Sequence, residues 1–112
     1  MIAIKIAKPG GPEVLQAVDM PTPRPGPREV LIQVAAAGVN RPDLMQREGK
    51  YPPPPGASDI PGLEVAGAIA ACGSGAVRWR EGDRVCALVS GGGYAEYCAV
   101  PEVQCLPIPS TA

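Results

Sequence analysis

Proline and glycine interrupt this chain at short intervals, and their spacing limits what it can fold into. The 112 residues include 15 prolines and 14 glycines. Proline lacks the backbone donor that a central strand needs, and glycine is a residue of turns. The stretches between these breaks still show regular apolar periodicity, so the chain does not resemble a disordered proline- and glycine-rich tract. Many short strands joined by turns are therefore predicted.

Seven segments have the pattern of short strands. The clearest is 29–38, where Val30, Ile32 and Val34 share one face by alternation. The run 63–71 is apolar on both faces, which predicts a buried strand. The remaining five, of which the first two are expected to pair, are 2–7, 14–20, 84–89, 94–100 and 103–108.

One short helix is predicted over 40–49. Asn40 is a good N-cap, and Asp43 suits the positive end of the helix dipole. Pro42 falls in the first turn and Gly49 ends the helix. Since strands and helices do not alternate along the chain, the pattern predicts a mainly β domain, a small barrel or sandwich, rather than a parallel sheet.

Charge and hydropathy narrow the possible partners. The net charge is -1, so no basic surplus is available to neutralise phosphates, and a nucleic-acid partner is not expected. No long apolar stretch suggests a membrane span, and the first residues lack the pattern of a signal peptide. We therefore expect a cytoplasmic protein.

The chain contains no histidine, which removes several kinds of chemistry from this segment. Ser-His-Asp and Cys-His catalysis and histidine-based metal sites all need an imidazole. The cysteines do not form a C-x-x-C pair, and each lies in or beside a predicted strand. We expect small, reduced core residues at all four positions, which are Cys72, Cys86, Cys98 and Cys105.

Three other features have a structural and a functional interpretation. The run Gly73-Ser74-Gly75 begins like a dinucleotide-binding loop, but no helix pattern follows it, so a turn is favoured. Glu64 lies in an apolar run and is expected to be buried in a structural hydrogen bond. Tyr51 precedes a proline-rich loop, where it could anchor the loop or line a pocket.

Several segments in the same order resemble the medium-chain dehydrogenase/reductase superfamily. They include the run from Gly38 to Arg47, the motif Pro61-Gly62-Leu63-Glu64-Val65-Ala66-Gly67 and the turn Gly82-Asp83-Arg84-Val85. The opening residues 8–15 and the strand motif at 93–97 match as well. Within the superfamily the chain is most similar to quinone oxidoreductases, especially the tumour-suppressor-inducible quinone reductase type.

The resemblance implies a GroES-like, partly open β-barrel with a short helix. Residues 1–112 would form an incomplete N-terminal catalytic domain, truncated before the Rossmann domain. Zinc alcohol dehydrogenases carry Cys where this chain has Asn40, and His where it has Leu63. Neither replacement is a good zinc ligand, so the zinc-free branch is implied.

The implied reaction is hydride transfer from NADPH to a quinone-like small molecule. The cofactor-binding residues would be Tyr51, Asn40 and Asp43, which line the nicotinamide end of the cleft, and no residue is assigned as a certain acid or base. Most cofactor contacts would come from the missing domain, so the fragment alone is expected to be inactive. Its exposed apolar seam would favour a homo-oligomer.

Two other functions stay open on the sequence. One is a zinc-free enoyl or alkenal reductase of the same superfamily, and the other is a standalone GroES-like binding module. The choice between NADPH and NADH and the natural substrate are not determined by these residues.

Overall fold

The computed structural model describes residues 1–111. They form seven strands, arranged in two sheets, and one α-helix. The mainly β character and the single short helix are confirmed. No helix within these residues has the length and apolar character needed to cross a membrane. In chain order the elements are β1 (Ile2–Ile6), β2 (Leu15–Asp19), β3 (Glu29–Ala37), α1 (Arg41–Arg47), β4 (Glu64–Cys72), β5 (Arg84–Leu88), β6 (Tyr97–Pro101) and β7 (Cys105–Pro107).

All strand pairs are antiparallel. β1 and β2 form a two-stranded sheet, as predicted, and the other five pair in the order β6-β3-β4-β5-β7. Neither sheet closes on itself, which fits the predicted partly open barrel. A bridge between Ala3 and Ala95 connects β1 to the chain just before β6. Register shifts interrupt the pairing of β3 with β4 after Leu31 and after Val34.

The core lies on one face of the five-stranded sheet. Val30, Ile32, Val85 and Val100 are fully buried in it. β4 contributes Val65 and Ile69 to the same core, as alternation requires.

Four sequence predictions about these strands are wrong. The last predicted strand, 103–108, begins only at Cys105, because Val103 and Gln104 belong to a short 3-10 turn, Glu102–Gln104. The run 63–71 is not buried on both faces, because in β4 only alternate residues are buried and Glu64 is exposed. Val14 lies in a short 3-10 turn, Pro12–Val14, rather than in a strand. The predicted strand 94–100 begins only at Tyr97, since the backbone before it bonds to other segments.

The cysteines differ from one another in burial. Cys98 and Cys105 are buried in the core, as predicted, and Cys86 is half-buried. Cys72 is exposed, so its assignment to the core is wrong; it is the last residue of β4, where the strand leaves the sheet. All four are free thiols. Burial raises the pKa of Cys98 and of Cys105 to about 11. In each case a neighbouring thiol and a neighbouring glutamate raise the pKa further, by repulsion between negative charges.

A buried carboxylate fixes the connection between β4 and β5. The turn predicted at Gly73 is present, and the amide of Ala76 bonds back to the Gly73 carbonyl at 3.2 Å. Further along, Oε1 of Glu102 accepts hydrogen bonds from the amides of Val77 and Arg78, at 3.0 and 2.9 Å. Glu102 is only 6% exposed, so these bonds replace most of the hydration that its carboxylate loses on folding.

Candidate active-site face

The entry to α1 is fixed by a reciprocal pair of hydrogen bonds. The backbone N–H of Asn40 donates to Oδ2 of Asp43 at 3.0 Å, and the amide of Asp43 donates to the carbonyl of Asn40 at 3.0 Å. Pro42 occupies the first turn, where its missing donor costs nothing. The helix ends at Arg47, and Gly49 follows it with a φ of +82°, so the predicted start and stop are confirmed.

Asp43 is the buried centre of this region, with 4% of its surface exposed. The hydroxyl of Tyr94 donates to Oδ2 of Asp43 at 2.7 Å, so that oxygen accepts two hydrogen bonds. Oδ1 of Asp43 is buried and has no partner among the described residues. Burial first, and then the bond to the Asp43 carboxylate and its charge, raise the pKa of Tyr94 far above its usual value. Tyr94 therefore remains a protonated donor at neutral pH.

Asn40 also reaches the start of β4. Its side-chain Nδ2 donates to Oε1 of Glu64 at 3.3 Å, and both side chains are exposed. The backbone amide of Gly38 bonds to the Glu64 carbonyl at 3.2 Å, which brings the two segments together. Glu64 thus makes the expected hydrogen bond, but the prediction that it is buried is wrong, because the strand turns this position to solvent.

An apolar groove of about 600 Å³ adjoins this pair of residues. Gly38 and Glu64 belong to its lining, and Gln104 is its other polar side chain. Leu88 and Leu106 line it from β5 and β7 and are 67% and 64% exposed. The remaining wall consists of small or apolar side chains, namely Ala36, Ala37, Val65, Ala66, Cys86 and Ala87. A flat apolar molecule could lie here with polar groups at one border.

The structure brings together two of the three predicted site residues. Asn40 and Asp43 share the hydrogen bonds at the start of α1. Tyr51 is half-buried in the loop after α1, and no hydrogen bond among the described residues joins it to them. Its role stays a prediction.

Sequence reasoning did not find Tyr94, which lies 51 residues from its partner Asp43. Its only signal was a position beside three glycines and inside the family-like motif at 93–97. No local pattern could indicate that its hydroxyl reaches a helix start so far away in sequence.

Within residues 1–111, no group of three or more His, Cys, Asp or Glu side chains is placed to hold a metal ion. Asn40 is exposed beside Glu64, and Leu63 is half-buried at the start of the same strand region.

Known proteins match this chain over almost its whole length. A quinone oxidoreductase of Rattus norvegicus is 40% identical over 113 residues, which cover 99% of this chain and 34% of the rat protein. The solved Escherichia coli quinone oxidoreductase complexed with NADPH is 34% identical with a TM-score of 0.88, over 100% of this chain and 34% of that one. The human synaptic vesicle membrane protein VAT-1 homolog-like protein is 34% identical with a TM-score of 0.92, over 100% and 36%.

The chain therefore spans about a third of the length of the curated relatives it matches. Residues 26–110 match the alcohol dehydrogenase GroES-like domain, which is most of the sequence. The resemblance found in the sequence motifs is thereby confirmed at the level of the domain and its relatives. The chain belongs to the alcohol dehydrogenase GroES-like domain family.

Proposed function

We propose that the protein containing this chain is a cytoplasmic NADPH-dependent quinone oxidoreductase, and that the chain supplies the wall on which the acceptor lies. The observation that carries the proposal is the apolar groove beside Asn40 and Glu64, in a chain 40% identical to a quinone oxidoreductase. The relative solved with NADPH supports the choice of cofactor.

The start of α1 fits the nicotinamide end of such a cofactor. Asn40 presents an exposed amide that can both donate and accept a hydrogen bond. Asp43 is too buried to reach a ligand easily, so its contribution is to hold Asn40 in place. Tyr51 is proposed to complete this end of the cleft. Most other cofactor contacts would come from a nucleotide-binding domain outside these residues.

Hydride transfer to a quinone needs little from the protein beyond the correct placement of the cofactor and the quinone. NADPH, when bound, supplies a hydride, and the two carbonyls of a quinone share the incoming charge. The groove would hold the ring flat and keep water away, while Asn40 fixes its orientation by hydrogen bonding. Since Asn40 and Leu63 replace the two zinc ligands that the alcohol dehydrogenases would have, we propose a reaction that needs no zinc.

Steady-state assays of the full-length protein would test this function. We expect NADPH oxidation with 1,4-benzoquinone that a metal chelator leaves unchanged, and little oxidation with a 2-enoyl thioester or an alkenal. Oxidation with the enoyl substrates alone would establish the alternative reductase, and loss of activity after chelation would refute zinc independence. No reaction with either class would favour a binding module.

The isolated chain offers a complementary test. Because its groove provides only one wall, we expect isothermal titration to show weak or undetectable binding of NADPH to residues 1–112. Binding in the low micromolar range would show that this segment holds the cofactor by itself.

A further inference from the structure

We infer that Tyr94 is a positioning residue of the proposed site, which acts on Asn40 through the buried carboxylate of Asp43. The inference rests on the proposed function only in treating Asn40 as a residue that meets the substrate or cofactor. Its physical basis is a continuous run of hydrogen bonds. The Tyr94 hydroxyl bonds to Asp43 Oδ2 at 2.7 Å, and the same oxygen accepts the Asn40 amide at 3.0 Å.

Tyr94 is itself fixed from several directions. Its amide donates to the carbonyl of Pro61 at 2.9 Å, and its carbonyl accepts the amide of Ile4 at 2.8 Å. Its ring lies against Gly62, where an added Cβ would come within 2.7 Å of Cδ1. Tyr94 is therefore held by segments outside α1, so its hydroxyl can keep the Asp43 carboxylate at the helix start in one position.

The Asp43 carboxylate depends on this hydroxyl. Asp43 is 4% exposed, and its Oδ1 has no partner among the described residues, so both described hydrogen bonds fall on Oδ2. A buried carboxylate that loses one of two donors must turn toward another donor or toward water. Either movement weakens the hydrogen bond from the backbone N–H of Asn40, and the start of α1 is then held less firmly.

Movement of the Asn40 backbone displaces its side chain as well. That side chain bonds to Glu64 Oε1 at 3.3 Å at the border of the apolar groove. Removing the Tyr94 hydroxyl should thus change the site at Asn40, although Tyr94 does not belong to the groove lining. A small displacement of an orienting group is enough to lower the rate of a reaction that depends on placement.

A double-mutant cycle in the full-length protein tests the inference. Tyr94→Phe should lower kcat/KM for 1,4-benzoquinone about tenfold in the wild-type background and about twofold or less when Asn40 is already alanine. Tyr97→Phe is the matched control, because the Tyr97 hydroxyl makes no hydrogen bond among the described residues, and it should leave kcat/KM unchanged. A full tenfold loss in both backgrounds, or no loss in either, would overturn the inference.

Hydrogen exchange provides a readout that does not need activity. In the full-length protein, the Asn40 amide should exchange about tenfold faster in Tyr94→Phe than in wild type or Tyr97→Phe. If the wild-type protein reduces no quinone, the proposed function fails while this measurement still decides the inference. Unchanged exchange at Asn40 would contradict it.

A second variant covers the case in which Tyr94→Phe does not fold. Asp43→Asn keeps one acceptor oxygen but removes the charge that strengthens both hydrogen bonds. It should show faster exchange at the Asn40 amide and the same dependence on Asn40 in the kinetic cycle. Wild-type exchange and additive kinetics in Asp43→Asn would refute the inference.

Discussion

The side-chain amide of Asn40 donates a hydrogen bond to the carboxylate of Glu64 across 3.3 Å, which links the start of α1 to the first residue of β4. The pair can form because Gly38 carries no side chain. A Cβ at position 38 would overlap the Glu64 carboxylate, as it lies across the Gly38 backbone. The missing side chain thus shapes the border of the groove.

Gly38→Ala should separate activity from stability. The exposed Glu64 side chain can turn away from the new methyl group, so we expect a loss of about 1 kcal/mol or less in the free energy of unfolding. The side-chain amide of Asn40 would lose its hydrogen bond to Glu64, and kcat/KM for a quinone should fall about threefold. Urea unfolding and steady-state kinetics would measure both effects. Glu64→Gln, which keeps an acceptor oxygen, is the control; a fully active Gly38→Ala protein would contradict the prediction.

Glu102→Ala should destabilise the protein by about 2 kcal/mol, because the amides of Val77 and Arg78 lose a charged acceptor. The change in the urea midpoint, at a constant slope, is the measurement. Glu81→Ala removes an exposed acidic side chain from the same connection and should change the stability by about 0.5 kcal/mol or less. Equal effects of the two substitutions would argue against a structural role for Glu102.

Stability should decline as the pH rises from about 9 to 11. The pKa of Cys98 and of Cys105 is about 11 in the folded protein, against an ordinary value of 9.0. In this window the unfolded chain releases thiol protons that the folded chain still holds, so the free energy of unfolding falls, by up to about 2 kcal/mol for each thiol. Below pH 9 both states are protonated, and this dependence disappears.

Urea unfolding at a series of pH values would measure that slope. Cys98→Ala removes one of the two titrating thiols, and it should flatten the decline even if it lowers stability at every pH. A slope in Cys98→Ala as steep as in wild type would show that Cys98 is not the source.

The isolated chain should self-associate through the groove. Leu88 and Leu106 are largely exposed on neighbouring strands, and burying them against another molecule removes apolar surface from water. Light scattering should therefore show a mass that rises with concentration, and Leu88→Gln combined with Leu106→Gln should reduce it. Val77→Gln, at an 85% exposed position outside the groove lining, is the control. A monomer at high concentration would contradict the prediction.

Local signals in the sequence predicted most of the fold. Alternation located the strands, and the cap at Asn40 and the stop at Gly49 located α1, because each depends on neighbouring residues. The burial of Glu64 was mispredicted since hydropathy alone cannot tell which end of an apolar strand emerges into solvent.

The long-range contacts could not be predicted in the same way. Tyr94 meets Asp43 from 51 residues away, and Glu102 accepts hydrogen bonds from amides 24 and 25 residues before it. Such contacts depend on how the strands cross, which no local pattern records. The candidate site was therefore found in part, through Asn40 and Asp43, while the residue that fixes them was not.

The kinetics of Asn40→Ala in the full-length protein test the central claim most directly. If Asn40 stands where the acceptor meets the cofactor, kcat/KM for 1,4-benzoquinone should fall about tenfold or more, while Gln16→Ala, an exposed change on β2, leaves it unchanged. Equal kcat/KM values for wild type and Asn40→Ala would contradict the account.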